Sequence, residues 1–408
     1  MRKINSIILF LLVLVYVCGC TKSPNEPSIS RELTSIEKTI VDSDNRFGIR
    51  LFQEIVKAQE DSNVFISPLS VSMALGMTLN GANTTTREAM INTLELAGLS
   101  DQQINENYKS LIELLVGLDP KVKFQIANSI WYRNDHVFEE LFFNQCKNYF
   151  DAEVAGLDFR DPKSKDIINA WVDQNTNGKI KEIVERINPN NVMFLINAIY
   201  FKGTWTFQFD EKGTFDDNFY LPDNSTRQCK MMAQKEEYPY FANDQFQAVD
   251  LPYGDGSYSM IVILPNIITN IDDVIIGMDQ ATWNEWLSQF EKQKGNIFLP
   301  RFKLEYKIKL NDILKALGMR IAFSADEADF TRMFKPGGLY IDEVNHKTFV
   351  EVNEEGTEAA AVTSVVISER SGGGNEGFVM HINRPFIFAI REHHSGTILF
   401  IGKIVDPS

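Results

Sequence analysis

Near its carboxyl end the chain carries Glu354-Glu355-Gly356-Thr357-Glu358-Ala359-Ala360-Ala361, a run of small residues that continues with β-branched ones. It stops at Arg370-Ser371, beside Gly372-Gly373-Gly374. An arginine so placed can do chemistry as a substrate: its long cation fits the acidic specificity pocket of a trypsin-like protease, which cuts the bond behind it. Residues 357–369 contain neither Gly nor Pro, the usual punctuation of a loop that long. They also lack the large apolar residues at 3.6 spacing that a buried helix needs. The run reads as a strand in waiting, displayed as protease bait and fit to enter a sheet later. Taken alone, an Ala-rich helix over Glu354 to Ala361 that fades into an edge strand accounts for it equally well.

Residues of an inserted strand alternate faces. Thr357, Ala359, Ala361, Thr363, Val365 and Ile367 would share one face, and none of them is charged. That face can be buried without stranding an ion. Glu358, Ala360, Val362, Ser364, Val366 and Ser368 would share the other, with Glu358 its only charge. From Thr357 to Arg370 the strand would span about 43 Å at ~3.3 Å per residue. That is enough to carry a bound enzyme across the molecule.

The remaining reactive residues offer little. No Gly-x-Ser-x-Gly elbow, His-Glu-x-x-His or phosphate loop appears, so the chain is read as not an enzyme and as needing no cofactor. His136, His346, His381, His393 and His394 are scattered apart from the last pair, which reads as a turn between strands rather than a metal site. The net charge is −15. Loss of a leader containing Arg2 and Lys3 makes it −17, which excludes a nucleic-acid partner.

The amino terminus reads as an address. Arg2-Lys3 precede an apolar core from Ile7 to Val17, too short to span a bilayer comfortably. Val17-Cys18-Gly19-Cys20 resembles the bacterial lipobox, in which the last cysteine becomes the acylated first residue of the mature protein. On that resemblance residues 1–19 are a lipoprotein signal, Cys20 carries the lipid, and 20–34 form a tether. The destination is then the cell envelope, reached by the general secretory pathway, with Thr21 favouring an outer membrane or cell surface. A plain secretory signal is the alternative. Cys146 and Cys229 remain, too few for a disulfide framework; they read as two buried thiols or one pair.

The elements that must position the bait follow an order. Helical periodicity runs through Ile36 to Ile55, Ala74 to Leu99 and Ile104 to Leu118. Strand-like runs then cover Val122–Tyr132, Val192–Phe201, Ala248–Pro252, Ser259–Leu264, Gly295–Leu304, Thr348–Val352, Phe386–Arg391 and Thr397–Val405. Helices first and mostly strands afterwards give an α+β class in a single domain, 35–408.

Five segments in this order resemble the serpin family. They are Asn63-Val64-Phe65-Ile66-Ser67-Pro68-Leu69-Ser70; Ile168-Asn169-Ala170-Trp171-Val172 with Thr176-Asn177-Gly178-Lys179-Ile180; Asn197 through Trp205; Glu354 through Ala361; and Ile382-Asn383-Arg384-Pro385-Phe386-Ile387-Phe388. The resemblance implies three β-sheets, one of them large and central, eight to nine helices and an exposed reactive-centre loop. It implies a monomeric suicide-substrate inhibitor, cut once and then inserting its loop into the large sheet with the protease attached. A non-inhibitory member acting as chaperone, carrier or binding protein is the alternative, and a hinge free of bulky residues, with no charge on the face that Thr357 begins, argues against it.

In the family the cut bond lies seventeen residues from the first hinge glutamate, which here is Arg370-Ser371. The target implied is a trypsin-like, Arg-specific serine endopeptidase, with Arg-specific cysteine proteases as a second class. A shifted register would offer Val366 or Ile367 to elastase-like enzymes. The segment from Ser371 to Arg384 runs longer than usual, with four Gly. By residue-level match, Ser67, Ser70, Asn197 and His346 form the polar cluster where the large sheet parts. Trp205 and Arg301 stand where the loop enters, Arg301 pairing with Glu354.

Overall fold

A computed structural model describes residues 31–188, 190–357 and 377–408. Nine α-helices lie among the described residues: α1 (Ser35–Ala58), α2 (Pro68–Leu79), α3 (Thr84–Thr93), α4 (Asp101–Leu115), α5 (Glu140–Phe150), α6 (Lys163–Asn175), α7 (Ile271–Ile276), α8 (Gln280–Ser288) and α9 (Asn311–Leu314). The first is fixed by local chemistry. Thr34 caps α1 and Glu37 answers it in a capping box. Ile40, Phe47, Leu51, Phe52 and Ile55 then line its buried face. Arg31, just ahead of it, bonds Glu37 and Ser110, and its carbonyl accepts from His394 Nε2 at 2.7 Å.

The strands are β1 (Val64–Ile66), β2 (Val122–Arg133), β3 (Ala152–Leu157), β4 (Met193–Thr204), β5 (Phe215–Tyr220), β6 (Thr226–Ala242), β7 (Phe246–Tyr253), β8 (Tyr258–Pro265), β9 (Glu291–Pro300), β10 (Phe302–Lys309), β11 (Asn345–Val352), β12 (Gly356–Thr357), β13 (Phe378–His381), β14 (Phe386–Glu392) and β15 (Ile398–Ile404). Six of them form one sheet in the order β10-β11-β12-β4-β2-β3. The other nine form a second network, β1-β15-β14-β8-β7-β6-β9-β13, with β5 on the edge of β6. Both sheets pack with α1 and α2 around one apolar core.

Three expectations change in detail. The three sheets resolve into two hydrogen-bonded networks, because the 17-residue β6 is shared: it pairs with β5 and β9 along most of its length and with β7 at Tyr240–Ala242. The single strand expected over Gly295–Leu304 is two. Pro300 still pairs with Met231 of β6, whereas Phe302 pairs with Val352 of β11, so the chain changes sheets at Arg301. The helix expected over Ala74–Leu99 is also two, separated by the turn Asn80–Asn83, where Asn83 N bonds Asp329 O at 2.8 Å. Cys146 on α5 and Cys229 on β6 are free buried thiols. Burial pushes the Cys229 thiol up to about 11 and the Cys146 thiol higher still.

Candidate functional site

β12 is only two residues long, yet it sits at the centre of the six-stranded sheet. Gly356 and Thr357 pair with Thr204 and Gly203 of β4, and Thr357 pairs with Val352 of β11. Both pairings are antiparallel, so β4 and β11 run parallel with the start of the hinge wedged between them. Asn353 and Gly356 exchange backbone bonds at 3.0 and 3.3 Å, which turns the chain from β11 into β12. Only glycine fits there: a Cβ at Gly356 would stand 2.0 Å from the Gly203 carbonyl oxygen.

Where the hinge enters, a polar clamp closes over it. Glu354 is buried, and its Oε1 accepts from Arg301 Nε at 2.6 Å, Arg301 Nη2 at 2.5 Å and Thr214 Oγ1 at 2.5 Å. Trp205 donates twice, from its backbone to Glu355 O at 2.8 Å and from its indole to Asn353 O at 2.9 Å. Its ring stacks on Tyr253 at 4.4 Å. Tyr253 Oη lies 2.6 Å from Thr357 Oγ1, and burial raises the phenol well above its ordinary value. Thr357 is thus buried, as is Gly356 before it. Thr214, Asn353 and Tyr253 belong to this clamp without having been singled out by sequence. Asn353 adjoins the hinge and could have been suspected, but no spacing ties Thr214 or Tyr253 to it.

Below β12 no rung joins β4 to β11 among the described residues. A slot takes its place. It narrows where Ile199, Tyr200 and Phe201 face Phe349, Val350 and Glu351 beneath the turn Thr176–Ile180. It then widens into a cavity of about 760 Å³ between Met193–Asn197 and Asn345–Lys347, floored by Ser70, Val71 and Ala74 of α2. β4 and β11 therefore each present one unpaired backbone edge to the slot, the condition for accepting another strand.

The second expected cluster lies across this slot. Ser67 caps α2, donating its hydroxyl to Leu399 O at 2.7 Å and its backbone N–H to His346 Nε2 at 3.0 Å. Ser70 Oγ reaches Asn197 O on β4 at 3.5 Å. Asn197 Nδ2 bonds Asn128 Oδ1 on β2 at 2.8 Å, while its own Oδ1 is buried without a partner. Burial pushes His346 down to about 4, so at neutral pH it is the uncharged acceptor that Ser67 N–H requires. The structure thus brings Ser67, Ser70, Asn197 and His346 together, and separately Trp205, Arg301 and Glu354.

Glu358, Ala359, Ala360, Ala361, Arg370, Ser371 and Cys20 lie outside the described residues. No group of His, Cys, Asp and Glu suited to a metal ion occurs among the described ones, and His393–His394 form the β14–β15 turn.

Comparison with known proteins gives one consistent answer. The family model described as "Serpin (serine protease inhibitor)" matches residues 42–407. An uncharacterized serpin-like protein of Thermococcus kodakarensis is 31% identical over 99% of each chain. The thermophilic serpin tengpin, solved in native and latent states, superposes with TM-scores of 0.83 and 0.80 at 32% identity, covering 93% of this chain and 97% and 100% of its own. Human thyroxine-binding globulin with its hormone bound reaches 0.83 at 27% identity, covering 92% of this chain and all of its own. These findings correct one expectation. To read the chain simply as not an enzyme leaves out the chemistry: proteins of this kind act on proteases, being consumed as suicide substrates, and no catalysis of their own is shown.

Proposed function

The chain belongs to the serpin family, and on that premise we propose that it is an inhibitory member that traps trypsin-like, Arg-specific serine endopeptidases. Arg-specific cysteine proteases form a second target class. The protease cuts after Arg370, the acyl-enzyme forms, and the freed hinge zips into the slot before the ester hydrolyses.

One observation carries the reading: Gly356 and Thr357 already stand as the first rung between β4 and β11, with the slot continuing below them. Residues 359, 361, 363, 365 and 367 are small or β-branched and uncharged, so they suit the buried face that Thr357 begins. Thyroxine-binding globulin supports a second reading, a carrier that traps nothing. Incubation with trypsin separates the two: a complex that survives denaturant supports inhibition, and clean cleavage without one supports the carrier.

We further propose that Cys20 carries a lipid that holds a monomeric inhibitor at the cell envelope, the support being Val17-Cys18-Gly19-Cys20 and the polar residues after it. Detergent-phase partitioning of the expressed protein tests this. The anchor predicts that Cys20→Ala moves the chain to the aqueous phase, and unchanged partitioning would remove it.

A further inference from the structure

Asp44 lies on the face of α1 that packs against α2 and α4, and only 3% of it is exposed. Its Oδ1 accepts from Ser72 Oγ on α2 at 2.5 Å and from Tyr108 Oη on α4 at 3.1 Å, and those two oxygens are 2.7 Å apart. Its Oδ2 is buried with no hydrogen-bond partner. One carboxyl group thus joins three helices while half of it goes unsatisfied.

No cation answers it among the described residues. α2 contains no Asp, Glu, Lys, Arg or His. α4 faces Asp44 with Tyr108 alone among its titratable groups, and the far side of that ring is closed by Phe150 of α5 at 5.4 Å. On α1 itself, Arg46 and Arg50 turn to Glu95. Lys403 of β15 is held by Asp272 and the Glu60 carbonyl. A buried carboxylate without a counter-charge is far more costly than the neutral acid. Burial accordingly raises the Asp44 pKa to about 7, and it raises the Tyr108 phenol too, with the Asp44 charge contributing.

The helix that holds Asp44 also guards the slot. Ser72 stands five residues along from Ser67 on α2, and Ser67 and Ser70 reach His346 and Asn197 on the two sides of the gap. We propose that Asp44 is a proton-operated latch on sheet opening. With its carboxyl neutral, α1, α2 and α4 stay packed together and α2 keeps β4 and β11 from moving further apart. Ionised, it loosens α2 and lets β4 part from β11 sooner. The latch rests on the reading of the slot as the path of loop insertion.

The direction follows from proton linkage. The folded protein holds this proton more tightly than an unfolded chain, whose aspartate titrates near 3.8. The stabilisation is therefore full below about 4, drains as pH rises, and is gone above about 7.

The test compares full-length wild type with Asp44→Asn, which cannot ionise. Trypsin-trapping lifetime on warming and the thermal unfolding midpoint are both read between about pH 5 and pH 8. The latch predicts that the variant-to-wild-type lifetime ratio rises about threefold or more across that interval and then levels off. A ratio that stays flat overturns it. Should Asp44→Asn fold poorly, Tyr108→Phe serves instead: losing a donor to the carboxylate moves the wild-type pH midpoint upward, and an unmoved midpoint overturns the latch. Wild type that traps no protease, with Asp44→Asn still changing the unfolding profile, removes the inhibitory reading and keeps the proton site.

Discussion

Arg301 Nε lies 2.6 Å from Glu354 Oε1, where Thr214 Oγ1 also donates. Arg301 is the residue at which the chain leaves β9 in one sheet for β10 in the other, its backbone N–H bonded to Lys230 O at 2.8 Å. Glu354 is the first residue of the hinge. Their contact therefore ties the junction of the two sheets to the start of the loop, with the carboxylate buried and the guanidinium reaching it from solvent.

Reversing that charge should release the hinge. Glu354→Lys sets a cation against Arg301 and leaves Thr214 without its acceptor, a cost of about 2 kcal/mol after allowance for the exposure of Arg301. Because a fold of this kind is held by a kinetic barrier, the expected outcome is a trapping lifetime shortened about tenfold on warming. An unchanged lifetime would remove the clamp from the account.

Among the described residues, Thr357 begins the uncharged face of the inserting strand and is buried. Thr357→Arg would bring an unpaired cation beside Tyr253 and block the first rung of insertion. Cleavage after Arg370 should continue while the yield of denaturant-resistant complex drops about tenfold or more. A yield equal to wild type would show that insertion does not begin here.

His346 and Asp44 should oppose each other in acid. The folded-state pKa of His346 is depressed from 6.5 to about 4. Its contribution is therefore full above about 6.5 and is lost as pH falls through about 4, a swing of roughly 3 kcal/mol for a fully buried group. Asp44 runs the other way over nearly the same interval. His346→Gln keeps an acceptor for Ser67 N–H and does not titrate, so its unfolding midpoint should rise as pH falls from about 7 to about 4. Asp44→Asn should lose stability over that interval more steeply than wild type. Parallel profiles for all three proteins would contradict both assignments.

Much of this was legible in the sequence because it rests on local rules. The apolar face of α1 follows from the helical spacing of Ile40, Phe47, Leu51, Phe52 and Ile55, and the uncharged set that Thr357 begins follows from strand geometry. What was not legible depends on where strands meet. β6 carries Arg227, Lys230, Lys235, Glu236 and Glu237 and shows no simple apolar alternation, yet its pairing with β5, β7 and β9 makes one network of nine strands. Arg301 reads as the middle of a strand although Pro300 just before it removes a ladder donor, the one local sign of the break between β9 and β10. Thr214 and Tyr253 stand 140 and 104 residues from their hinge partners, too far for any local pattern to join them.

The central claim is that Arg370-Ser371 is the bait and that the slot between β4 and β11 receives the hinge once this bond is cut. Trypsin is incubated with wild type and with Arg370→Ala, and the products are resolved under denaturing conditions, with the released peptide sequenced from its amino end. The account predicts for wild type a denaturant-resistant band containing both proteins and a peptide that begins at Ser371, and for Arg370→Ala neither. Cleavage of wild type without complex, or equal trapping by Arg370→Ala, would contradict it.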